Sequence, residues 1–106
     1  MYKPLPESVT IKQSGINGLG LFADQKIMHG TNLGMSHLKI GDTIFRTPLG
    51  GFINHANTAN CLKVELRLTN TDLQGHQYSY KKWNLIVSQD VEKGDELTVR
   101  YTFYKV

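Results

Sequence analysis

Alternating hydrophobic and polar residues dominate this chain and predict a protein built mainly from β-strands. Over residues 62–68 every even position is leucine or valine, and every odd position between them is charged. A two-residue period predicts a strand with one face on a hydrophobic core and the other face in water. Similar alternation predicts strands over residues 9–12, 83–87 and 97–103. No long segment has the 3.6-residue period of an amphipathic helix, so we expect little helix.

Turn residues separate the predicted strands at short intervals. Gly41-Asp42 lies between the apolar segments 38–40 and 43–45, and this arrangement predicts a tight hairpin. Residues 70–77 contain a glycine and few apolar side chains, so they predict a longer exposed connection. The least regular stretch covers residues 48–60.

A weak internal repeat relates two segments that lie 64 residues apart. Each segment has three apolar residues, then a glutamine, an aliphatic residue, a glycine and a leucine at the same spacing. The repeat predicts two related units of strand, turn and strand, and chance similarity is the competing explanation. The matched positions are Leu21 and Leu85, Gln25 and Gln89, Ile27 and Val91, Gly30 and Gly94, and Leu33 and Leu97.

The composition is that of one folded domain covering residues 1–106. A chain of 106 residues with 40% hydrophobic residues can build a single core. No apolar run approaches the roughly 18 residues of a membrane span, and residues 1–6 contain two prolines instead of a signal-peptide core. We therefore expect no membrane segment and a cytoplasmic protein.

Charge and cysteine content exclude several classes of protein. Cys61 is the only cysteine, so the chain can form neither an internal disulfide nor a cysteine-rich zinc cluster. The net charge of +3 and the isoelectric point near 9.1 suit an acidic partner. Basic and acidic residues are nevertheless mixed along the sequence, so nucleic acid is only one such partner.

The first candidate site segment is the glycine turn Gly18-Leu19-Gly20. Because glycine lacks a Cβ, the backbone here can adopt positive φ and lie directly against a ligand. A Gly-x-Gly pair is a weak signal by itself, and an ordinary hairpin or bulge is the competing interpretation. It is not a dinucleotide-binding fingerprint, because the third glycine and the following helix are missing.

The second segment contains Asn54-His55 and Asn60-Cys61 within the irregular stretch. So many amide and imidazole groups in a small domain need hydrogen-bond partners, which are either the protein's own backbone or a ligand. A turn that satisfies its own polar groups, with a structural histidine, is the competing interpretation.

The third segment covers residues 94–101 and ends at Tyr101. Tyr101 shares a strand face with Leu97 and Val99, so we expect its side chain to point inward. A buried hydroxyl there can orient an amine or, through weak C–H contacts, a methyl group. A core tyrosine bonded to a backbone carbonyl is the competing interpretation.

In this order the three segments resemble the SET domain, the fold of most protein-lysine methyltransferases that use S-adenosylmethionine. The second segment is similar to the family signature Asn-His-Ser-x-x-Pro-Asn-Cys, with Ala56 and Ala59 in place of serine and proline. The third is similar to Gly-Glu-Glu-Leu-Thr followed by the catalytic tyrosine, with Arg100 where aspartate is common.

The resemblance implies a fold and a function. The fold is mainly β, a SET-domain β-clip of several small sheets with a threaded C-terminal segment and little helix. The activity is transfer of a methyl group from S-adenosylmethionine to a lysine of a protein substrate. The implied roles are Tyr101 as the catalytic residue, Gly18, Leu19, Gly20, Asn54, His55 and Tyr104 as cofactor-binding residues, and Val99 and Phe103 as the substrate channel.

The chain resembles a minimal SET domain of the viral and bacterial type. Residues 34–48 provide only a hairpin where relatives carry a wall of the peptide groove, and we expect no zinc-binding region before or after the domain. Cys61 is expected to be a buried apolar residue, and no metal site is expected. Dimerisation could complete the groove, so a homodimer is a hypothesis. A viral origin would imply the host cytoplasm.

Two other classes of function stay open. A degenerate SET fold could bind the cofactor or a protein partner without catalysis. A small basic β module that binds nucleic acid would rest on the charge and on joint exposure of Tyr78, Tyr80 and Trp83. Alternation places Trp83 with Leu85 in the core, which argues against this last class.

Overall fold

The computed structural model describes residues 5–100, which form eight strands and one short helix. The predictions of a mainly β chain and of little helix are confirmed. Tyr101 and the residues after it lie outside the described residues. The elements are β1 Val9–Gln13, β2 Leu19–Ala23, β3 Asn32–Ile40, β4 Thr43–Arg46, α1 Pro48–Phe52, β5 Asn54–His55, β6 Cys61–Thr71, β7 Gln77–Val87 and β8 Glu96–Val99.

The strands pair in the order β1-β2-β8-β6-β7-β3-β4, and β5 pairs with β8. The pairing of β8 with β5 and with β6 is parallel, whereas the other pairs are antiparallel. Strands β6 and β8 share the single residue pair Cys61 and Val99. A smaller sheet of β1, β2 and β8 therefore joins a larger sheet of β6, β7, β3 and β4 at one point.

The predicted hairpin and the predicted internal repeat are both confirmed. Strands β3 and β4 pair around Gly41, whose φ is +59°. The two repeat units exchange three pairs of backbone hydrogen bonds that are related by the 64-residue spacing, as expected for two units packed around an approximate twofold axis. The bonds are Ile27 N to Val91 O and Val91 N to Ile27 O, both 2.8 Å; Ala23 N to Asp95 O and Val87 N to Thr31 O, both 2.9 Å; and Gly94 N to Ala23 O, 2.8 Å, and Gly30 N to Val87 O, 2.7 Å.

The hydrophobic core lies where these two units meet. Its most completely buried side chains come from β2, β7 and β8, from the start of β6 and from the bridge between the units. Within the described residues no helix is long and apolar enough to cross a membrane. The buried hydrophobic residues are Val9, Leu21, Ala23, Ile27, Leu33, Leu49, Ile53, Cys61, Leu85, Val87, Val91, Leu97 and Val99.

The orientation predicted for residues 62–68 is wrong. Leu62, Val64 and Leu66 were expected to face the core, but they are 53%, 41% and 40% exposed. The reason is that Cys61, at the start of β6, is completely buried where it pairs with Val99. Because successive side chains point to opposite faces of a strand, the even positions then face outward.

Candidate functional site

The glycine turn connects β1 to β2 and is closed by Ser14. The backbone N of Ser14 donates to Gly18 O at 2.7 Å, and the Ser14 hydroxyl oxygen accepts from the backbone N of Ile16 at 2.8 Å. Gly18 has a φ of +48°, in the region that favours glycine. Leu19 is 51% exposed, so the outer side of the turn faces solvent.

Asn54 joins the second candidate segment to this turn. Strand β5 places Asn54 beside Thr98 of β8, and the side chain reaches back toward the turn. The Asn54 amide nitrogen lies within hydrogen-bond distance of four acceptors, although it carries only two hydrogens. The acceptors are Ser14 Oγ at 3.1 Å, Asn17 O at 3.1 Å, Leu19 O at 3.3 Å and Glu96 Oε2 at 2.9 Å.

Glu96 brings the third segment to the same place. Its two carboxylate oxygens accept from the Ser14 hydroxyl group at 2.9 and 2.8 Å. A Cβ added to Gly20 would run into Glu96 Oε2 and would lie 3.0 Å from the Asn54 amide nitrogen. Gly20 therefore leaves the space that the Glu96 carboxylate and the Asn54 amide occupy.

The three segments picked out in the sequence thus meet in one cluster. We call Ser14, Gly20, Asn54 and Glu96 the Asn54 cluster. Sequence reasoning assigned no role to Ser14, which lies outside the three segments, or to Glu96, which lies inside the third. Ser14 lies four residues before Gly18, and Glu96 is the acidic residue before the apolar part of β8. Two signals in the sequence could have identified them: Ser14 is a serine shortly before a Gly-x-Gly turn, and Glu96 is an acidic residue next to a core strand segment.

Asn60 holds the other end of the irregular stretch against β8. Its amide nitrogen donates to Glu96 O at 3.0 Å, and its amide oxygen accepts from the backbone N of Thr98 at 2.9 Å. The side chain therefore bonds to β8 as the backbone of a neighbouring strand would. Together Asn54 and Asn60 fix both ends of this loop to one strand.

Of the other predicted site residues, the structure describes only His55 and Val99. His55 is exposed and pairs with Val99 through the β5–β8 ladder, whereas the Val99 side chain is completely buried. The roles of His55 in cofactor binding and of Val99 in a substrate channel stay predictions. Tyr101, Phe103 and Tyr104 lie outside the described residues.

Cys61 is buried, as expected for an apolar role. Burial raises the pKa of its thiol to about 12, so the thiol stays protonated near neutral pH. Among residues 5–100, no group of three or more histidine, cysteine, aspartate or glutamate side chains could hold a metal ion.

The aromatic residues behind the nucleic-acid alternative do not form one exposed platform. Tyr78 and Tyr80 stack on each other with ring centroids 6.1 Å apart. Trp83 is half-buried, and its odd position in β7 places it on the opposite face from these two even positions. The Trp83 ring instead packs edge-on against His37, with centroids 6.4 Å apart.

Comparison with known proteins shows a likeness of fold. No protein-family model and no curated protein matches the sequence. Among the solved structures that match is the crystal structure of a "putative histone methyltransferase" from Plasmodium falciparum. The two share 13% sequence identity, with a TM-score of 0.66 over 94% of this chain and 97% of that one. The chain therefore has a SET-like, mainly β fold over nearly its whole length.

Proposed function

We propose that this protein is an S-adenosylmethionine-dependent protein-lysine N-methyltransferase. The observation that carries the proposal is the Asn54 cluster, in which the segments that resemble SET motifs meet through the side chains of Ser14, Asn54 and Glu96. The likeness of fold to the Plasmodium protein supports the same activity. Contacts between three segments so far apart in the chain would not be expected if the motifs had arisen by chance.

The groups around the glycine turn fit the amino-acid end of the cofactor. Within the described residues, the side-chain hydrogen bonds of Asn54 leave from its nitrogen, so its Oδ1 is the atom it would offer to an ammonium group. The exposed backbone around Gly18 and Leu19 would lie beside that group. S-adenosylmethionine, when bound, supplies a methyl group on a sulfonium sulfur, which is already a good leaving group.

The chain's own task is to align the substrate lysine and exclude water. Such positioning can be worth on the order of 7–11 kcal/mol. The lysine must first lose its proton, because its ordinary pKa is about 10.4. In this proposal the Tyr101 hydroxyl group orients the neutral amine. Strand β8 is held in position by its ladders to β2, β5 and β6, and Tyr101 is the second residue after this strand in the sequence.

One observation favours the inactive SET-like module as a second candidate function. The Asn54 amide nitrogen has more protein acceptors within the described residues than its two hydrogens can serve, so this group has a structural use whatever else it binds. A protein that kept the Asn54 cluster only for folding would bind a partner or the cofactor without turnover.

Calorimetric titration with S-adenosylmethionine tests the cofactor site. We expect micromolar binding by the wild type and at least tenfold weaker binding by Asn54→Ala, because a lost hydrogen bond to a charged group costs about 1.5–3 kcal/mol. Asn57→Ala is the matched control, since Asn57 lies exposed in the same loop. Urea unfolding of both variants shows whether Asn54→Ala is still folded.

Tyr101→Phe separates the two candidate functions. In a methyltransferase this variant keeps cofactor binding and loses transfer of the labelled methyl group to protein lysines. Binding without turnover by the wild type would favour the inactive module. Absence of cofactor binding by the folded wild type would contradict both the methyltransferase and a cofactor-binding role.

A further inference from the structure

One face of the larger sheet carries three basic side chains in a row. Lys39 of β3 is the cross-strand partner of Lys81 of β7, and Lys81 is the partner of Arg67 of β6. Cross-strand partners lie on the same face, and neighbouring strands are about 4.8 Å apart. The three cations therefore stand side by side across three adjacent strands.

These side chains border a cavity of about 390 Å³. One residue pair further along, the hydroxyl groups of Thr69 and Ser79 lie 3.4 Å apart and border the same cavity. The site thus offers three positive charges and two hydroxyl donors, which is a set suited to carboxylates. The lining residues are Lys39, Gly41, Arg67, Leu68, Thr69, Ser79, Tyr80 and Lys81, of which Leu68 and Tyr80 occupy strand positions whose side chains point to the opposite face.

The protein does not neutralise this row itself. Arg67 lies 3.2 Å from Glu65 Oε2, in an exposed pair that contributes little. In the described part of the chain, no carboxylate lies within ion-pair distance of Lys39 or Lys81. Like charges placed directly opposite each other destabilise a sheet, and a bound anion removes that repulsion.

The surrounding face extends the positive surface. Arg46 and Lys63 lie on the same side of the sheet, and their charges add to the effect of burial in lowering the pKa of His37. Glu65 is the one acidic residue among the strand positions of this face. The opposite face of β6 is apolar, with Leu62, Val64 and Leu66. The excess positive charge is therefore concentrated on one side of the sheet.

We propose that this basic face binds an acidic segment of the protein substrate, which rests on the methyltransferase function proposed above. Arg67 is six residues along β6 from Cys61, and Cys61 pairs with Val99, two residues before Tyr101. At about 3.3 Å per residue, Arg67 therefore lies roughly 20 Å from the pairing of Cys61 with Val99. An extended substrate peptide would span this distance with about six residues, so the acidic residues lie about that far from the methylated lysine.

A peptide fits this face better than a nucleic acid strand. Strands of nucleic acid are bound by basic grooves that also present aromatic rings for base stacking. Here Tyr78 and Tyr80 occupy the opposite face and stack on each other, and Trp83 is engaged with His37. The basic face supplies charges and hydroxyl groups but no free ring.

Fluorescence anisotropy with defined peptides tests the proposal without any cofactor. The probe is a labelled peptide with one lysine and a cluster of glutamates about six residues away, compared with the same peptide carrying glutamines. We expect the acidic peptide to bind at about 0.15 M ionic strength and the glutamine peptide to bind at least tenfold more weakly. Equal binding of the two peptides would overturn the proposal.

Charge-neutralised variants test whether the acidic peptide binds at the basic face. Lys39→Gln/Lys81→Gln should weaken binding of the acidic peptide at least tenfold, and removal of the like-charge pair should leave the protein folded. Lys26→Gln/Lys93→Gln removes the same charge away from this face and should change binding less than twofold. Equal losses in both double variants, or tighter binding of a single-stranded oligonucleotide of similar length at the same site, would overturn the proposal.

The outcomes separate this proposal from the activity it rests on. The protein could bind the acidic peptide through Lys39 and Lys81 and yet not bind S-adenosylmethionine. That result would support peptide binding by the basic face and refute the methyltransferase function. If the glutamine peptide is methylated with the same kcat/KM as the acidic peptide, the proposed binding of acidic segments by the basic face is refuted and the methyltransferase function is supported.

Discussion

At the scale of single residues, the candidate site depends on one missing side chain. Gly20 lies against the carboxylate of Glu96 and the amide of Asn54, and a larger residue would have to displace them. The Ser14 hydroxyl group donates to Glu96 and accepts from Asn54. Polar networks of this kind are rigid when every member is satisfied and costly when one is displaced. Ser14, Asn54 and Glu96 should therefore respond together to a change at Gly20.

Gly20→Ala should lower the free energy of unfolding by about 1–3 kcal/mol, the usual cost of overpacking. The same variant should weaken S-adenosylmethionine binding if the Asn54 cluster shapes the cofactor site. Gly15→Ala is the control, because a Cβ there meets nothing within 4 Å, and it should change stability by less than about 0.5 kcal/mol. Urea unfolding measures both, and equal stabilities would show that Glu96 moves aside freely.

At the scale of elements, three strands and the helix surround His37. Its Nδ1 lies 3.1 Å from the hydroxyl oxygen of Ser36, and Gly50 of α1 packs against it. Burial, followed by the positive charges of Lys63 and Arg46, lowers the pKa of His37 to about 4. The imidazole is therefore neutral in the folded protein at a pH where the unfolded chain already binds a proton.

This difference predicts a pH dependence of stability. Between pH 6.5 and about pH 4 the unfolded chain gains a proton at His37 that the folded protein does not, so the free energy of unfolding falls as the pH is lowered. Above pH 6.5 both states are neutral and His37 contributes no slope. His37→Gln should flatten the profile in this window, as measured by urea unfolding at a series of pH values.

A surface histidine provides the comparison for this profile. The His76 side chain is 80% exposed in the turn between β6 and β7, so His76→Gln should retain the wild-type decline. A decline that persists unchanged in His37→Gln would mean that other groups cause it.

At the scale of the whole molecule, the larger sheet has two faces of different character. One is basic, while the other exposes Leu62, Val64 and Leu66, with Ile40 44% and Phe45 51% exposed on the neighbouring strands. Cross-strand pairing places these residues on one side, and exposed apolar patches commonly mark contacts between proteins. The homodimer hypothesis thus has a candidate surface.

Light scattering tests the homodimer. We expect a mass of two 12.0 kDa protomers for the wild type and of one protomer for Leu62→Ser/Leu66→Ser. Leu73→Ser is the control, because Leu73 is a fully exposed leucine in the turn between β6 and β7. A wild-type mass of one protomer would count against the dimer.

Patterns in the sequence predicted much of this molecule, and the local ones succeeded because they depend only on neighbouring residues. Gly41-Asp42 closes the predicted hairpin, and Cys61 is buried as expected. The 64-residue repeat predicted two related units, and their reciprocal hydrogen bonds confirm them. The order of the three motif segments also indicated the SET-like fold that the Plasmodium structure supports.

Alternation along the sequence determined that β6 has an apolar and a charged face, but only the tertiary structure decided that the apolar face points away from the core. The decision lies in the long-range pairing of Cys61 with Val99, because moving a strand by one residue exchanges its two faces. The sequence likewise identified Gly20, Asn54 and the segment containing Glu96 as candidates. Only the fold brought these residues together, since they are far apart in the chain and meet through the pairing of β5 and β2 with β8.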